Sequence, residues 1–174
     1  MAYFNEATLE HMLFKNPSQL CIGWNGRPVE RWLARQYAVP SGIIDLLGIV
    51  RDENNRPIPV VVELKNRPLK SEDVAQVLRY SADINEILLC LAVGKLTSQI
   101  DDAIMVLIGR GAPLNKVLFE ANAANVYVHS FEINQTLEVS GHYFWEKEFE
   151  YSNYNKIYCS AKSKIFEVFL EQEG

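Results

Sequence analysis

The sequence predicts an α/β fold whose sheet contains at least some parallel strands. The predicted elements run in the order helix, three strands, helix, strand, helix, strand. Two of the first three strand segments flank a short polar turn, which predicts an antiparallel hairpin. The later strand–helix–strand crossovers predict parallel pairing and argue against a β-sandwich.

The first element is an amphipathic helix over residues 5–15. Leu9, Met12 and Leu13 recur there at helical spacing and share one face. Pro17 ends the helix, because the residue before a proline resists the helical conformation.

Three strand segments follow the helix. Residues 29–39 alternate apolar and polar side chains over part of their length, and we interpret them as a strand. Residues 42–50 and 58–65 are apolar, and the segment 51–57 between them has the Asp, Asn and Pro residues of a turn. Pro59 should lie near the start of its strand, where the missing N–H does least harm.

Helices and strands alternate in the rest of the chain. Ser71 suits the N-cap of a helix over residues 72–82, whose first turn is acidic, and a second helical stretch is predicted to extend to residue 91. A strand, a helix and a strand are predicted at residues 104–108, 114–124 and 126–133. A further strand candidate and an amphipathic helix pattern lie at residues 143–151 and 161–172.

Length and composition indicate one soluble globular domain. The chain has 174 residues, 48% of them hydrophobic, which is enough for one core and too few for two ordinary domains. No apolar run reaches the ~18 residues of a membrane span, and the N-terminus lacks a signal-peptide pattern. Cys21, Cys90 and Cys159 are far apart and odd in number, which argues against a disulfide framework. We therefore expect a cytoplasmic protein with no membrane partner.

The net charge of −5 is unfavourable for a protein that binds nucleic acid, but it is unevenly distributed. Residues 1–80 carry ten Lys and Arg against nine Asp and Glu, a net +1, and residues 81–174 carry seven against thirteen, a net −6. For such a chain we expect modest non-specific DNA affinity that falls with salt.

Charged side chains interrupt two of the apolar strand segments. Asp45 lies inside GIIDLLGIV, where a lone carboxylate is costly unless it is paired or bound to metal. Glu63 and Lys65 follow three valines in VVVELK, and strand alternation places both on one face with Leu64 on the other. The hairpin sets the two strands side by side, so two carboxylates and one amine should meet on one face.

This combination suits phosphodiester hydrolysis. Two neighbouring carboxylates repel each other, and a divalent cation removes the repulsion. Oxygen ligands suit Mg²⁺ or Mn²⁺, and the Leu64 backbone carbonyl is a candidate for a further ligand. Such a metal polarises the phosphoryl oxygen and activates water. Lys65 would position the attacking water or stabilise the charge that develops on the phosphate.

Asp45, the turn and the Glu-x-Lys strand of residues 63–65 resemble the PD-(D/E)XK nuclease superfamily. Gln76 and Tyr80 are four residues apart, on one face of a helix, and resemble the Gln-x-x-x-Tyr helix of RecB-type nucleases. The resemblance implies that Gln76 supports the site, with Tyr80 less directly involved.

Residues 35–45 resemble the strand that leads into the Asp of the NucS (EndoMS) type of mismatch endonuclease. That group often has Glu where this chain has Gln36. The first helix also resembles this group's first helix, in which an acidic residue often completes the metal site. By this resemblance Glu10 is the better candidate for a further metal ligand and Glu6 the weaker one.

The resemblance covers about residues 5–133. It implies a restriction-endonuclease-like core, αβββαβ, with a central mixed sheet flanked by helices. It also implies cleavage of DNA, as an endonuclease more than an exonuclease, with Mg²⁺ or Mn²⁺. Residues 134–174 have no match, and we interpret them as a C-terminal extension of the same domain. The aromatic cluster from His142 to Trp145 would serve packing or dimerisation, with base stacking as the alternative, and two-strand cleavage would suit a homodimer.

Simpler interpretations stay open. Glu63 and Lys65 would also be an ordinary ion pair on an exposed strand, although Asp45 is then unexplained. Gln76 and Tyr80 also suit a helix that packs in the core. Several further polar side chains would contact the DNA backbone or equally well lie in solvent: Arg35, Gln36, Arg67, Lys70 and Arg79.

Three functions are compatible with these patterns. The first is a metal-dependent deoxyribonuclease, and the second is an inactive nuclease-like fold that binds DNA or protein. The third is a hydrolase or transferase that acts on another substrate. The intact trio of Asp45, Glu63 and Lys65 favours the first over the second, and the Gln-x-x-x-Tyr helix argues against the third. The nuclease hypothesis places the chain in DNA repair, restriction, a mobile element or a virus.

Overall fold

We analysed a computed structural model of the chain, which describes residues 5–23, 26–92, 102–133 and 137–142. The elements, in chain order, are α1 (Glu6–Lys15), a 3-10 turn (Pro17–Gln19), β1 (Cys21–Ile22), β2 (Arg27–Pro28), β3 (Arg31–Val39), β4 (Gly42–Arg51), β5 (Pro57–Lys65), α2 (Ser71–Ala92), β6 (Ile104–Arg110), α3 (Asn115–Ala123), β7 (Val126–Ile133) and β8 (Leu137–His142).

The centre of the fold is a six-stranded mixed sheet in the order β3-β4-β5-β6-β7-β8. The hairpin pairs β3–β4 and β4–β5 are antiparallel, β5–β6 and β6–β7 are parallel, and β7–β8 is antiparallel. The two parallel pairs are joined through α2 and α3, as the strand–helix–strand order requires. Strands β1 and β2 form a separate antiparallel pair.

Helices cover the sheet on both faces. Helices α2 and α3 pack against β6 and β7, and α1 packs against β4 and β5. The valine run in β5 shows why its sequence does not alternate: Val61 joins the core under α2, and Val60 and Val62 join the core under α1. A strand buried on both faces is apolar throughout, so its charged residues, Glu63 and Lys65, stand out.

The structure confirms most of the predicted elements. Helix α1 begins after Asn5, whose side chain accepts a hydrogen bond from the Thr8 backbone N–H at 3.0 Å. The strand predicted within residues 29–39 is present as β3. Pro59 is the third residue of β5. The predicted mixed sheet with flanking helices is confirmed.

Two predictions about α2 were wrong. Residues 71–92 form one continuous helix of 22 residues, and Ser71 is its first helical residue. The segment contains no Gly or Pro that would divide it. Its buried residues recur at helical spacing from Val74 to Leu88, so one apolar face packs on the sheet along the helix.

The C-terminal strand β8 was not predicted. Its residues LEVSGH lack a strong strand pattern, and its place follows from the antiparallel register with β7, Val128↔His142 to Ile133↔Leu137. The predicted strand at 143–151, the predicted helix at 161–172 and Cys159 lie outside the described residues. In the described part of the chain Cys21 and Cys90 are thiols, and none of its helices is long and apolar enough to cross a bilayer.

Candidate active site

The candidate site lies where β4 and β5 stop pairing with each other. The last backbone pair of this ladder is Leu46↔Val62, and one step further the antiparallel register sets Asp45 opposite Glu63. The Asp45 Oδ2 atom accepts a hydrogen bond from the Leu64 backbone N–H at 2.8 Å. The Asp45 carboxylate therefore takes the place of a backbone acceptor at the end of the ladder and is held beside β5.

Glu63 and Lys65 form a buried ion pair at the same place. The Lys65 Nζ atom lies 2.6 Å from Glu63 Oε1, and the two side chains are 15% and 3% exposed. Within the described residues the second oxygen, Glu63 Oε2, is buried and receives no hydrogen bond. The alternation of β5 thus brings the predicted pair together and leaves one carboxylate oxygen without a donor.

The electrostatics favour a proton or another cation at this position. Burial, followed by the neighbouring charge of Asp45, raises the pKa of Glu63 to about 7 despite the ion pair with Lys65. Burial also raises the pKa of Asp45, against the hydrogen bonds from the Leu64 N–H and the Gln36 amide. Burial would lower the pKa of Lys65, but the bond to Glu63 and the charge of Asp45 outweigh it and raise that pKa.

A third carboxylate, Glu10 of α1, joins the site through β3. Glu10 is 5% exposed. Its Oε1 accepts a hydrogen bond from Arg35 Nε at 2.6 Å, and its Oε2 accepts one from Gln36 Nε2 at 2.6 Å. The same Gln36 nitrogen lies 3.0 Å from Asp45 Oδ1. The Arg35 guanidinium also lies over the Phe14 ring, 5.2 Å from its centroid.

The backbone of Gln36 is unusual. Its φ angle is +47°, in the left-handed region that non-glycine residues rarely adopt. Its neighbours pair regularly with β4, as Arg35↔Leu46 and Tyr37↔Ile44, and this register places Gln36 opposite Asp45. The positive φ is thus located at the residue that bridges two carboxylates, and no sequence pattern signals it.

Gln76 and Tyr80 lie one turn apart on α2 and bond to each other, since Gln76 Nε2 lies 2.6 Å from the Tyr80 hydroxyl. Tyr80 is 3% exposed and packs in the core under α2. Its hydroxyl faces Gly42, so close that an alanine Cβ there would lie 2.8 Å from the oxygen. The pair therefore contacts the start of β4 at Gly42, and β4 is the strand that carries Asp45.

Two further acidic residues hold the loops around the site, and sequence reasoning assigned neither of them this role. Asp73 is buried and accepts two bonds from the Arg67 guanidinium, at 2.7 and 2.9 Å, and one from the Lys70 backbone N–H at 2.8 Å. Asp83 accepts a bond from the Ser41 backbone N–H at 2.8 Å. Both occur on the apolar face of α2, and that position was the available signal.

The remaining candidate residues differ in whether their side chains already form ion pairs. Arg35 and Arg67 are ion-paired to Glu10 and Asp73, whereas Lys70 and Arg79 are exposed. Glu6 accepts a bond from the Asn66 backbone N–H at 2.9 Å and so contacts the loop that follows Lys65.

The carboxylate oxygens at this place fit a hard divalent cation. They are fewer than the ligands of a site that the protein alone would fill. In the part of the chain that the structure describes, no group of three or more His, Cys, Asp or Glu side chains is arranged to hold a metal ion. Asp45 and Glu63 are the facing pair, and Glu63 Oε2 is a buried oxygen that lacks a donor. Mg²⁺ and Mn²⁺ accept such oxygen ligands and keep several waters in their own coordination shells.

Comparison with known proteins gives consistent results. The family described as the Endonuclease NucS C-terminal domain matches residues 5–102. Over 76 residues, which are 44% of this chain and 25% of the relative, the sequence is 34% identical to the endonuclease NucS of Methanocaldococcus jannaschii.

Two solved structures share the fold. A repair endonuclease from Pyrococcus abyssi matches with a TM-score of 0.51 and 19% identity, over 74% of this chain and 47% of that one. A complex of EndoMS with double-stranded DNA matches with a TM-score of 0.54 and 21% identity, over 78% of this chain and 48% of that one. The chain thus spans a quarter of the similar sequence and about half of each similar structure.

Proposed function

This chain belongs to the Endonuclease NucS C-terminal domain family, and from that membership we propose that it hydrolyses DNA phosphodiester bonds as a metal-dependent endonuclease. The observation that carries the proposal is the meeting of Asp45, Glu63 and Lys65 at the open end of the β4–β5 ladder. DNA as the substrate class is supported by the name of the family and by the similar structure that holds double-stranded DNA.

We propose that Asp45 and Glu63 hold the metal, Mg²⁺ or Mn²⁺, with the Leu64 backbone carbonyl as a further oxygen ligand. Glu63 Oε2 supports this assignment, because a buried carboxylate oxygen without a donor is costly unless a cation or a proton satisfies it. When bound, such a metal polarises the phosphoryl oxygen and lowers the pKa of water. Glu10 has both oxygens engaged, by Arg35 and Gln36, and would become a ligand only if those bonds were released.

Lys65 provides the positive charge of the site. Its ammonium is held by Glu63 at 2.6 Å and carries three N–H donors, of which one serves that ion pair. The remaining donors can orient the attacking water or stabilise charge on the phosphate. Since burial fixes Glu63, the position of the Lys65 ammonium is also fixed before the substrate binds.

The other candidates act around this centre. Gln76 and Tyr80 support the strand of Asp45 through Gly42. Lys70 and Arg79 are exposed and available for phosphate contacts. Arg35, Gln36 and Arg67 are already bonded to carboxylates, so a contact with phosphate would compete with those bonds. Two copies of the chain would cut two strands.

The test is cleavage of labelled linear, closed circular, single-stranded and branched DNA with Mg²⁺, Mn²⁺ or EDTA. The chain is compared with its Lys65→Ala and Glu63→Ala variants. Lys116→Ala serves as a matched control, because this lysine lies on α3 with a side chain that is 77% exposed.

We expect metal-dependent cutting of a closed circle, which identifies an endonuclease. Both site variants should lose at least about 100-fold in rate, the usual scale for a group that stabilises transition-state charge, while the control cuts normally. Thermal melting checks that each variant is folded. Equal cutting by folded site variants, or no cutting with any metal, would contradict the proposal.

A further inference from the structure

The amide of Gln36 lies between two carboxylates that belong to different elements. Its Nε2 is 2.6 Å from Glu10 Oε2 and 3.0 Å from Asp45 Oδ1. An amide nitrogen has two hydrogens, so both are used, one on each carboxylate. Helix α1 and strand β4 are joined at this point by a neutral group.

The backbone holds the amide in this position. Gln36 has a φ of +47° in the middle of a strand whose flanking residues keep their register with β4. A non-glycine residue stays in this region only when its surroundings hold it there. Here the surroundings are the two carboxylates, which accept from the same nitrogen.

Each carboxylate oxygen of Glu10 accepts a hydrogen bond from a protein donor. Arg35 Nε lies 2.6 Å from Oε1 and Gln36 Nε2 lies 2.6 Å from Oε2, and the carboxylate is 5% exposed. The Arg35 side chain is itself held over the Phe14 ring. The charge of Glu10 is therefore balanced by protein groups.

The other side of Asp45 is different. Glu63 faces it with one oxygen on Lys65 and one, Oε2, buried without a donor among the described residues. The site is therefore asymmetric about Asp45: the Gln36 amide bridges Asp45 to Glu10, whereas the facing Glu63 Oε2 has no hydrogen-bond partner among the described residues.

We propose that Gln36 limits this site to one divalent cation, between Asp45 and Glu63, because its amide occupies the place where a second cation would join Asp45 to Glu10. The inference rests on the metal-dependent function proposed above. Gln36 is a positioning residue in this scheme: it binds no metal and fixes the number of metals that bind.

The isosteric change Gln36→Glu tests the proposal. It replaces a donor by a carboxylate of the same shape and places a third negative charge beside Glu10 and Asp45. Three oxygen ligands of this kind attract a divalent cation. The variant should therefore gain a second metal site at the expense of the stability of its metal-free form.

The measurement is a titration of Mn²⁺ into the metal-free chain, with free Mn²⁺ followed by electron paramagnetic resonance. We expect one bound Mn²⁺ per chain for the original sequence and two for Gln36→Glu. Gln19→Glu is the matched control, since Gln19 is exposed in the turn after α1 and the change adds the same charge. The control should bind one Mn²⁺.

A double variant shows whether a second bound Mn²⁺ comes from the new carboxylate pair and not from disturbed folding. Adding Glu10→Gln to Gln36→Glu removes the partner carboxylate, and the count should return to one. In EDTA, Gln36→Glu should melt at a lower temperature than the original chain and should gain more from added Mn²⁺ than the control does.

The outcomes separate the two proposals. Two Mn²⁺ on the original chain, or one on folded Gln36→Glu, would overturn the role of Gln36 and leave the nuclease proposal standing. No bound Mn²⁺ on the original chain would overturn the metal-dependent function and this inference with it.

Discussion

Glu63 is the residue at which stability and the proposed function are opposed. Its carboxyl is buried beside Asp45, and both its burial and that charge raise its pKa to about 7 from a usual value of 4.5. Between these two pH values the folded chain holds a proton that the unfolded chain has lost. Stability therefore falls as the pH rises through this window, and by linkage the full effect above pH 7 is ~3 kcal/mol.

Glu63→Gln should remove this pH dependence in EDTA. The amide has the same shape and no charge, so the free energy of unfolding should match that of the original chain near pH 4.5 and exceed it by a growing margin up to about pH 7. Urea unfolding at several pH values in EDTA measures the difference. Glu53→Gln is the control, because the Glu53 side chain is 81% exposed. If the free energy of unfolding varies with pH in parallel for Glu63→Gln and the original chain, the pKa of Glu63 is not raised in the folded state.

The sequence was informative about the residues that lie on regular strands. Alternation in β5 placed Glu63 and Lys65 on one face, and the hairpin predicted Asp45 beside them, as the register confirms. The bridge by Gln36 was beyond sequence reasoning, because it depends on a left-handed backbone conformation that glutamine does not encode. Whether these residues act as proposed stays a prediction.

At the scale of elements, helix α2 supports the turn between β3 and β4. Tyr80 packs its hydroxyl against Gly42, and Asp83 accepts from the Ser41 N–H. Gly42 has a φ of +149°, which a residue with a side chain adopts only under strain. The contact therefore requires glycine for two reasons, the backbone conformation and the close approach of Tyr80.

Gly42→Ala should destabilise the chain by about 2–4 kcal/mol, through backbone strain and overpacking together. Gly111→Ala is the matched control: φ there is +76°, but nothing lies within 4 Å of the added carbon, so only the backbone cost of about 1 kcal/mol remains. Chemical unfolding measures both changes. Adding Tyr80→Phe should restore part of the loss in Gly42→Ala and none in Gly111→Ala. Equal losses for the two alanine variants would mean that Tyr80 does not press on the turn.

Strands with a long apolar run of their own were predicted, whereas short strands that form only by pairing with a neighbouring strand were not. The apolar strands β4, β5 and β6 were visible because each buries its own side chains. Strand β8 and the pair β1–β2 are short and exist through pairing with a neighbour. The single helix α2 was divided in the prediction because the helical pattern of residues 72–82 was not carried on through the polar residues that follow, although the core continues beneath them.

For the whole molecule, the order of helices and strands was sufficient to predict a mixed sheet, but not the order of all six strands, since β8 was not predicted. Crossovers through α2 and α3 impose the parallel pairs, and the polar turn imposes the hairpin, which together give the mixed sheet. The match of residues 5–102 to the Endonuclease NucS C-terminal domain family confirms the predicted resemblance. Composition contributed little to the functional conclusion, because the acidic net charge argues against a nucleic-acid partner.

The charge distribution sets a limit on how the proposed nuclease holds DNA. The chain has a net charge of −5, so attraction must come from a local set of cations that are not already neutralised. Arg35 and Arg67 are paired with buried carboxylates. Lys70 lies at the end of the loop between β5 and α2, and Arg79 precedes Tyr80 on α2. Both side chains are exposed. These two residues are therefore the cations that we expect to neutralise phosphates.

Lys70→Glu and Arg79→Glu should each weaken DNA binding at low salt. Each lost phosphate contact should also lower the slope of log affinity against log salt concentration by about 1, because one fewer counterion is released. Fluorescence anisotropy with a labelled duplex in EDTA, over a series of salt concentrations, measures both quantities without cleavage. Lys116→Glu on α3 gives the same change in net charge at an exposed side chain. If Lys70 and Arg79 contact phosphates, the Lys116→Glu control keeps the original slope. If all three variants instead lose affinity equally with unchanged slopes, the net charge alone governs binding and neither Lys70 nor Arg79 contacts a phosphate.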